Sequence, residues 1–202
     1  MNKQLVWTGV LVLGLLVSGT AMGQEAPQWA FGVRAAAWNI PGTLLDQFLD
    51  EHPSVKGETY GMEFRYYGAD GPSGVFSVSY GFDVGRIDGT GFWLLKDDDP
   101  DEDGRRGKAQ ADVYALTATF LWDIMPEWVV HPYLGLGIGV AYVDGEIPPG
   151  EEDDDDSYKG PAPAVNIPLG LRAQLTENLS LNVDARLFMG GLALGGGVAY
   201  AW

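Results

Sequence analysis

From residue 29 onward, apolar residues recur at every second position in one run after another. In 112–122, Tyr114, Leu116, Ala118, Phe120 and Trp122 share one face, while Ala115, Thr117 and Thr119 take the other. Leu134, Leu136, Ile138 and Val140 alternate with Gly135, Gly137 and Gly139. Val165, Ile167, Leu169 and Leu171 alternate with Asn166, Pro168, Gly170 and Arg172, and Leu179, Leu181, Val183 and Leu187 with Ser180, Asn182, Asp184 and Arg186. A helix repeats every 3.6 residues and a strand every two, so these runs are strands. The same reading places eight strands at 29–38, 59–67, 75–85, 112–122, 133–143, 164–175, 179–188 and 192–202. Each has roughly the 9–11 residues a tilted strand needs to cross a hydrocarbon layer. The expected fold class is all-β: an eight-stranded antiparallel transmembrane β-barrel, an up-and-down meander closed by its first and last strands.

The connections support this. Those at 40–58, 86–111 and 144–163 are long, 123–132 is moderate, and 68–74, 176–178 and 189–191 are short. Long surface loops and short periplasmic turns are the habit of outer-membrane barrels. With both termini periplasmic, every long loop falls outside. Trp29, Phe76, Trp122, Tyr133, Tyr200 and Trp202 are expected at the periplasmic interface, and Trp38, Tyr60, Phe82, Tyr142 and Phe188 at the outer one. Export is written in the N-terminus, where Lys3 precedes the apolar run Leu5 to Val17 and the small residues of Ala21-Met22-Gly23. That run is short of the roughly 20 residues a spanning helix needs. A signal peptide at 1–23, a short tail at 24–28 and a barrel at 29–202 are therefore expected.

Alternation does not say which face is inside, and a soluble lipocalin-like barrel is the rival. The non-apolar face is rich in Gly, Ala and Ser, which suits a narrow lumen better than a wet surface. Its charges are nearly balanced, with Arg34, Arg65, Arg172 and Arg186 against Glu63, Asp83 and Asp184. Side chains fill an eight-stranded barrel, so these groups are expected to form lumenal ion pairs that offset their desolvation. The Gly, Ala and Ser face, the charge balance and the aromatic C-terminus favour the membrane barrel. The inward glycines 135, 137 and 139 would either open a local cavity or make room for the arginines.

Pro132 to Tyr142, a glycine-alternating strand, is similar to a strand of the small outer-membrane β-barrel superfamily, of the OmpA-transmembrane-domain or opacity type. Leu175-Thr176-Glu177-Asn178-Leu179-Ser180-Leu181 resembles that group's periplasmic hairpin. Gly197 to Trp202 resembles the signal read by the barrel-assembly machinery, with Gly197, Tyr200 and Trp202 as its matching positions and Gly195 where a polar residue is usual. The resemblance implies an outer-membrane location, contact with lipid and lipopolysaccharide, assembly by that machinery and a monomeric state. The peptidoglycan-binding domain of full-length OmpA-type proteins is not expected.

Composition narrows the chemistry. There is no cysteine, hence no disulfide framework or thiol catalysis. The formal charge of −16, which becomes −17 when Lys3 leaves with the signal, disfavours nucleic acid. Asp99-Pro100-Asp101-Glu102-Asp103-Gly104 matches the opening of a calcium loop, with Asp99, Asp101 and Asp103 as candidate ligands. Position 12 is Gln110 rather than a bidentate glutamate, so a solvated acidic loop is the favoured reading and weak calcium binding the alternative. Glu151 to Asp156 is a denser acidic run. Both acidic loops would rise beside lipopolysaccharide phosphates, where divalent cations could bridge them. Thr43 to Glu51 is read as a short amphipathic helix, and Phe92-Trp93-Leu94-Leu95 as an apolar cluster in a loop, both packed on the rim. His52 and His131 are poorly placed for a lipid A-modifying enzyme, and no cofactor is required. The expected role is structural or interactive at the surface; the runner-up is a narrow channel for a small apolar or amphipathic solute.

Overall fold

The computed structural model describes residues 28–47, 49–95, 105–146 and 157–202. The signal peptide, Asp99, Asp101, Asp103 and the acidic run 151–156 lie outside these residues. The strands are β1 (Trp29–Ile40), β2 (Leu49–Glu51), β3 (Val55–Tyr66), β4 (Phe76–Leu95), β5 (Arg105–Asp123), β6 (Val130–Glu146), β7 (Ser157–Gln174), β8 (Leu179–Phe188) and β9 (Gly191–Ala201). Eight of them form a ring in the order β4-β3-β1-β9-β8-β7-β6-β5, which the β4–β5 ladder completes. The first and last strands pair antiparallel from Ala30↔Ala201 to Asn39↔Leu192. Only β2 stands outside the ring, added to the end of β4 through Leu49↔Leu95 and Glu51↔Leu94.

The alternation sends polar groups inward. Ile138 is 72% exposed and Leu136 63%, whereas Thr117, Thr119 and Asn166 are each 3% exposed. A soluble barrel would bury Leu136 and Ile138 and wet the threonines, so the lipocalin-like alternative is overturned. The apolar belt runs from Phe76, Trp122 and Leu134 to Val84, Tyr114 and Tyr142, which are register partners at each level. Eight residue steps at about 3.3 Å, tilted by about 40°, give a belt of about 20 Å, close to the ~25 Å of outer-membrane barrels.

The structure departs from the sequence reading in three places. Strands β4, β5, β6 and β7 continue well past the belt, so the connections after β4 and β6 are shorter than expected. The Phe92-Trp93-Leu94 cluster accordingly belongs to β4, where Phe92 pairs with Arg106 across the ladder. Its polar and glycine-rich neighbours Asp88, Gly89 and Gly91 read as loop, but cross-strand hydrogen bonding to β5 holds them extended. The amphipathic helix shrinks to one turn, α1 (Gly42–Leu45), before β2 begins. Finally Trp38, Tyr133 and Phe188 are not interfacial; each is 3% exposed and points into the lumen. They lie on the inward parity of their strands, and parity outweighs the interfacial preference of aromatic rings.

The β8–β9 connection is a two-residue turn, with Met189 and Gly190 both at positive φ (46° and 76°) between the paired Phe188 and Gly191. That is the primed-turn geometry that matches strand twist. Elsewhere glycine permits close approach: a Cβ on Gly139 would lie 1.9 Å from the Leu116 carbonyl oxygen. Gly139→Ala is therefore expected to destabilise the barrel by about 1–3 kcal/mol through forced backbone movement. Gly145→Ala, whose Cβ would sit 3.3 Å from the Ala111 methyl group, should cost much less. Thermal unfolding in detergent, read as loss of the fast-migrating unheated gel band, checks both.

Candidate functional site: an ion-paired plug in the lumen

The inward parity of β1, β3, β4 and β8 carries a charged chain across the barrel. Arg34 on β1 donates from Nε and Nη2 to both oxygens of Asp83 on β4 (2.9 and 2.5 Å) and from Nη1 to Glu63 on β3 (3.3 Å). Glu63 also accepts from Arg65 Nη2 (2.6 Å) and Ser79 Oγ (3.0 Å). On the facing wall, Arg186 Nε donates to Asp184 Oδ1 (2.8 Å), and Arg186 Nη1 lies 4.0 Å from Asp83. Asp184 Oδ2 accepts from the Tyr133 hydroxyl and from Asn182 Nδ2, both at 2.8 Å.

A second group closes the lumen nearer the termini. Arg172 Nη1 donates to Asp123 Oδ1 (2.5 Å), which also faces His131 Nε2 (3.2 Å). His131 Nδ1 lies 3.0 Å from the Trp128 carbonyl oxygen. The Arg172 guanidinium stacks 4.7 Å from the centre of the Tyr133 ring, a cation–π contact. Among the described lumenal residues, Arg34, Arg65, Arg172 and Arg186 thus face Glu63, Asp83, Asp123 and Asp184, and the formal charges cancel. Burying so many ions gives little net stability. What the network provides is a filled and specific interior.

Six of the seven lumenal residues expected from the sequence form the first group, joined by Tyr133, Ser79 and Asn182, while the seventh, Arg172, pairs with Asp123 beside His131 in the second. Asp123 and His131 share inward parity with Leu121 and Tyr133, the signal that would have found them had the strands been extended by two residues. A cavity of about 20 Å³, room for about one water, is bordered by Arg34, Glu63, Tyr133 and Asn166. The glycines of β6 do not serve the arginines. A Cβ on Gly135 or Gly137 would strike Leu121 or Thr119, whereas one on Gly81 would strike Arg34 and one on Gly61 would strike Asp83. Of the residues expected to form the assembly signal, Gly197 faces Arg34 in the lumen, whereas Tyr200 and Trp202 point outward, half-exposed.

An apolar layer lies above the charges, towards the loop end. Trp38 and Phe188 pack with ring centroids 5.5 Å apart among Val113, Ala115, Ala141, Ala164 and Ala193. Beyond the belt the outer surface turns to ion pairs: Arg86 with Asp112, Lys108 with Asp88 and Lys159 with Asp144. At the rim, His52 sits between the Pro53 carbonyl oxygen and Asp46, both at 3.0 Å. These partners, the Pro53 carbonyl first, raise its pKa above the ordinary 6.5. No group of three or more His, Asp or Glu able to hold a metal occurs among the described residues.

Removing one partner of the second group should be costly. Arg172→Met, which leaves Asp123 buried beside His131, is expected to lose about 3–5 kcal/mol. Arg172→Met combined with Asp123→Asn should recover a large part of that, as measured by urea unfolding in detergent.

No protein-family model and no curated protein sequence matches this chain. Solved structures do. Neisserial surface protein A (NspA) superimposes with a TM-score of 0.54 at 14% identity, over 86% of this chain and 97% of that one. Ail, the attachment invasion locus protein of Yersinia pestis, gives 0.49 at 13% identity, over 87% and 97%. The N-terminal β-barrel domain of Pseudomonas aeruginosa OprF gives 0.46 at 15%, over 87% and 98%. With its apolar belt outside and its ion pairs within, the chain has the fold of the small eight-stranded β-barrels of the outer membrane.

Proposed function

We propose that the protein is a closed barrel that carries acidic loops at the cell surface, with a structural or interactive role rather than one in transport. The shut lumen carries this reading. Neutralised ion pairs occupy its middle and the Trp38–Phe188 layer its loop end, which argues against a continuous aqueous path. The orientation with termini in the periplasm is supported by the asymmetry of the ends. The extensions of β4, β5, β6 and β7 beyond the belt all lie at the end opposite the chain termini. A non-catalytic reading is supported by the histidines, since both ring nitrogens of His52 and of His131 are engaged by neighbouring protein groups.

The partner that best fits the acidic connections is the phosphate layer of lipopolysaccharide, bridged by divalent cations. The segments at 97–103 and 151–156 are almost entirely carboxylates, which repel phosphate unless a cation such as calcium intervenes. In planar bilayers the protein is expected to give no sustained conductance. In gel-mobility assays calcium should raise the unfolding temperature when lipopolysaccharide is present. That increment should shrink in the triple variant Asp99→Asn, Asp101→Asn, Asp103→Asn. A steady conductance would restore the channel reading, and an increment independent of lipopolysaccharide would remove the bridging role.

A further inference from the structure

The connection between β5 and β6, residues 124–129, exposes more large apolar side chains than either neighbouring connection at that end of the barrel. Met125 is 48% exposed, Trp128 56% and Val129 69%. The connection between β3 and β4 exposes one such side chain, Val75 (41%), beside Gly68, Ala69, Asp70 and Ser73, and that between β7 and β8 one, Leu175 (53%), beside Thr176, Glu177 and Asn178. The turn is held in shape by the backbone: Ile124 N–H donates to the Pro132 carbonyl (2.8 Å) and Trp128 N–H to that of Met125 (3.0 Å). Met125 sits at φ 56°, a left-handed position where glycine or asparagine is less strained. A thioether chain is thus kept exposed at a site that disfavours it.

The apolar surface does not stop at the turn. Val130 shares outward parity with Leu134 and Leu136, all exposed, and Leu175, the first residue after β7, is exposed as well. The patch therefore runs unbroken into the lipid-facing belt at Trp122 and Leu134. Its position in the ring matters as well: β5 and β6 lie diametrically opposite the β9–β1 seam, where Trp29 and Trp202 are exposed. We infer that residues 125–130 are a membrane-interface anchor, with Trp128 and Val129 seated in the lipid headgroup zone on the side of the chain termini. The occupant is lipid because the patch continues the lipid surface, bears a single charge at Glu127 and presents an indole, which prefers that zone. Together with Trp29 and Trp202 it fixes the barrel at two opposed points, which sets its depth and tilt.

Because the chain has no cysteine, the inference can be tested with single labels. Trp128→Cys, Val129→Cys and, as reference, Ala69→Cys are labelled with the fluorophore NBD. Each is refolded into phosphatidylcholine vesicles with and without bromine near the headgroups, and its fold is checked by gel mobility. Labels at 128 and 129 should lose emission in brominated vesicles and resist aqueous iodide, while the label at 69 should do the opposite. If Trp128→Cys fails to fold, position 129 carries the same reading. Quenching by iodide at 128 or 129 equal to that at 69, with no effect of bromine, would overturn the anchor.

Discussion

Every other feature of this barrel depends on the closure of its ring between β1 and β9. In hydrocarbon no water is present to satisfy an unpaired N–H or C=O, and each such group costs several kcal/mol. A sheet can cross only if its last strand returns to its first, as the ladder from Ala30↔Ala201 to Asn39↔Leu192 does. Where closure is no longer enforced, the chain protects its edges in other ways. Strand β7 outruns β8, whose pairing ends at Asn166↔Phe188. Pro161 and Pro163 share parity with Val165, whose carbonyl accepts from Met189 N–H on that side. The free edge thus carries residues without an N–H, a known device against unwanted strand pairing. On the far side, β2 pairs with the end of β4.

Closing eight strands also fixes what the interior can be. The ring is just wide enough for side chains, so whatever the inward positions carry must fill the lumen. Arg34 reaches Asp83 and Glu63 because Gly61, Gly81 and Gly197 leave space along its path. Similarly, Gly191 lies so close to the Trp38 indole that a Cβ would overlap Nε1. The lumen is therefore a second core, polar in its middle and apolar at its loop end, and the proposed role follows from its being full. The proposed role accordingly rests on parts outside the lumen: the rim ion pairs, the acidic segments of the sequence and the apolar turn after β5.

The fold was legible in the sequence because strand parity is a binary signal that tolerates errors at the ends. Strand β8 matches its expected bounds, and all seven charged lumenal residues lie on the inward parity that alternation assigns them. Parity also exposes where residue type misled. Trp38, Tyr133 and Phe188 read as interfacial from their chemistry, but their register places them inside. The extensions of β4 to β7 were illegible because Asp88, Gly89, Gly91 and Asp144 look like loop residues. Pairing between long neighbours holds them extended, and that is a property of two strands rather than one. Trp128 and Val129 were hidden inside a connection judged by its length alone.

The central claim is the direction of the two faces, and a nitroxide scan of β5 from Thr117 to Leu121 tests it most directly. In lipid vesicles, labels at Ala118 and Phe120 should be accessible to oxygen, which partitions into hydrocarbon. Labels at Thr117, Thr119 and Leu121 should be reached by neither oxygen nor an aqueous nickel chelate. Nickel access at 118 and 120, or oxygen access at 117, 119 and 121, would contradict a membrane barrel closed around a filled polar lumen.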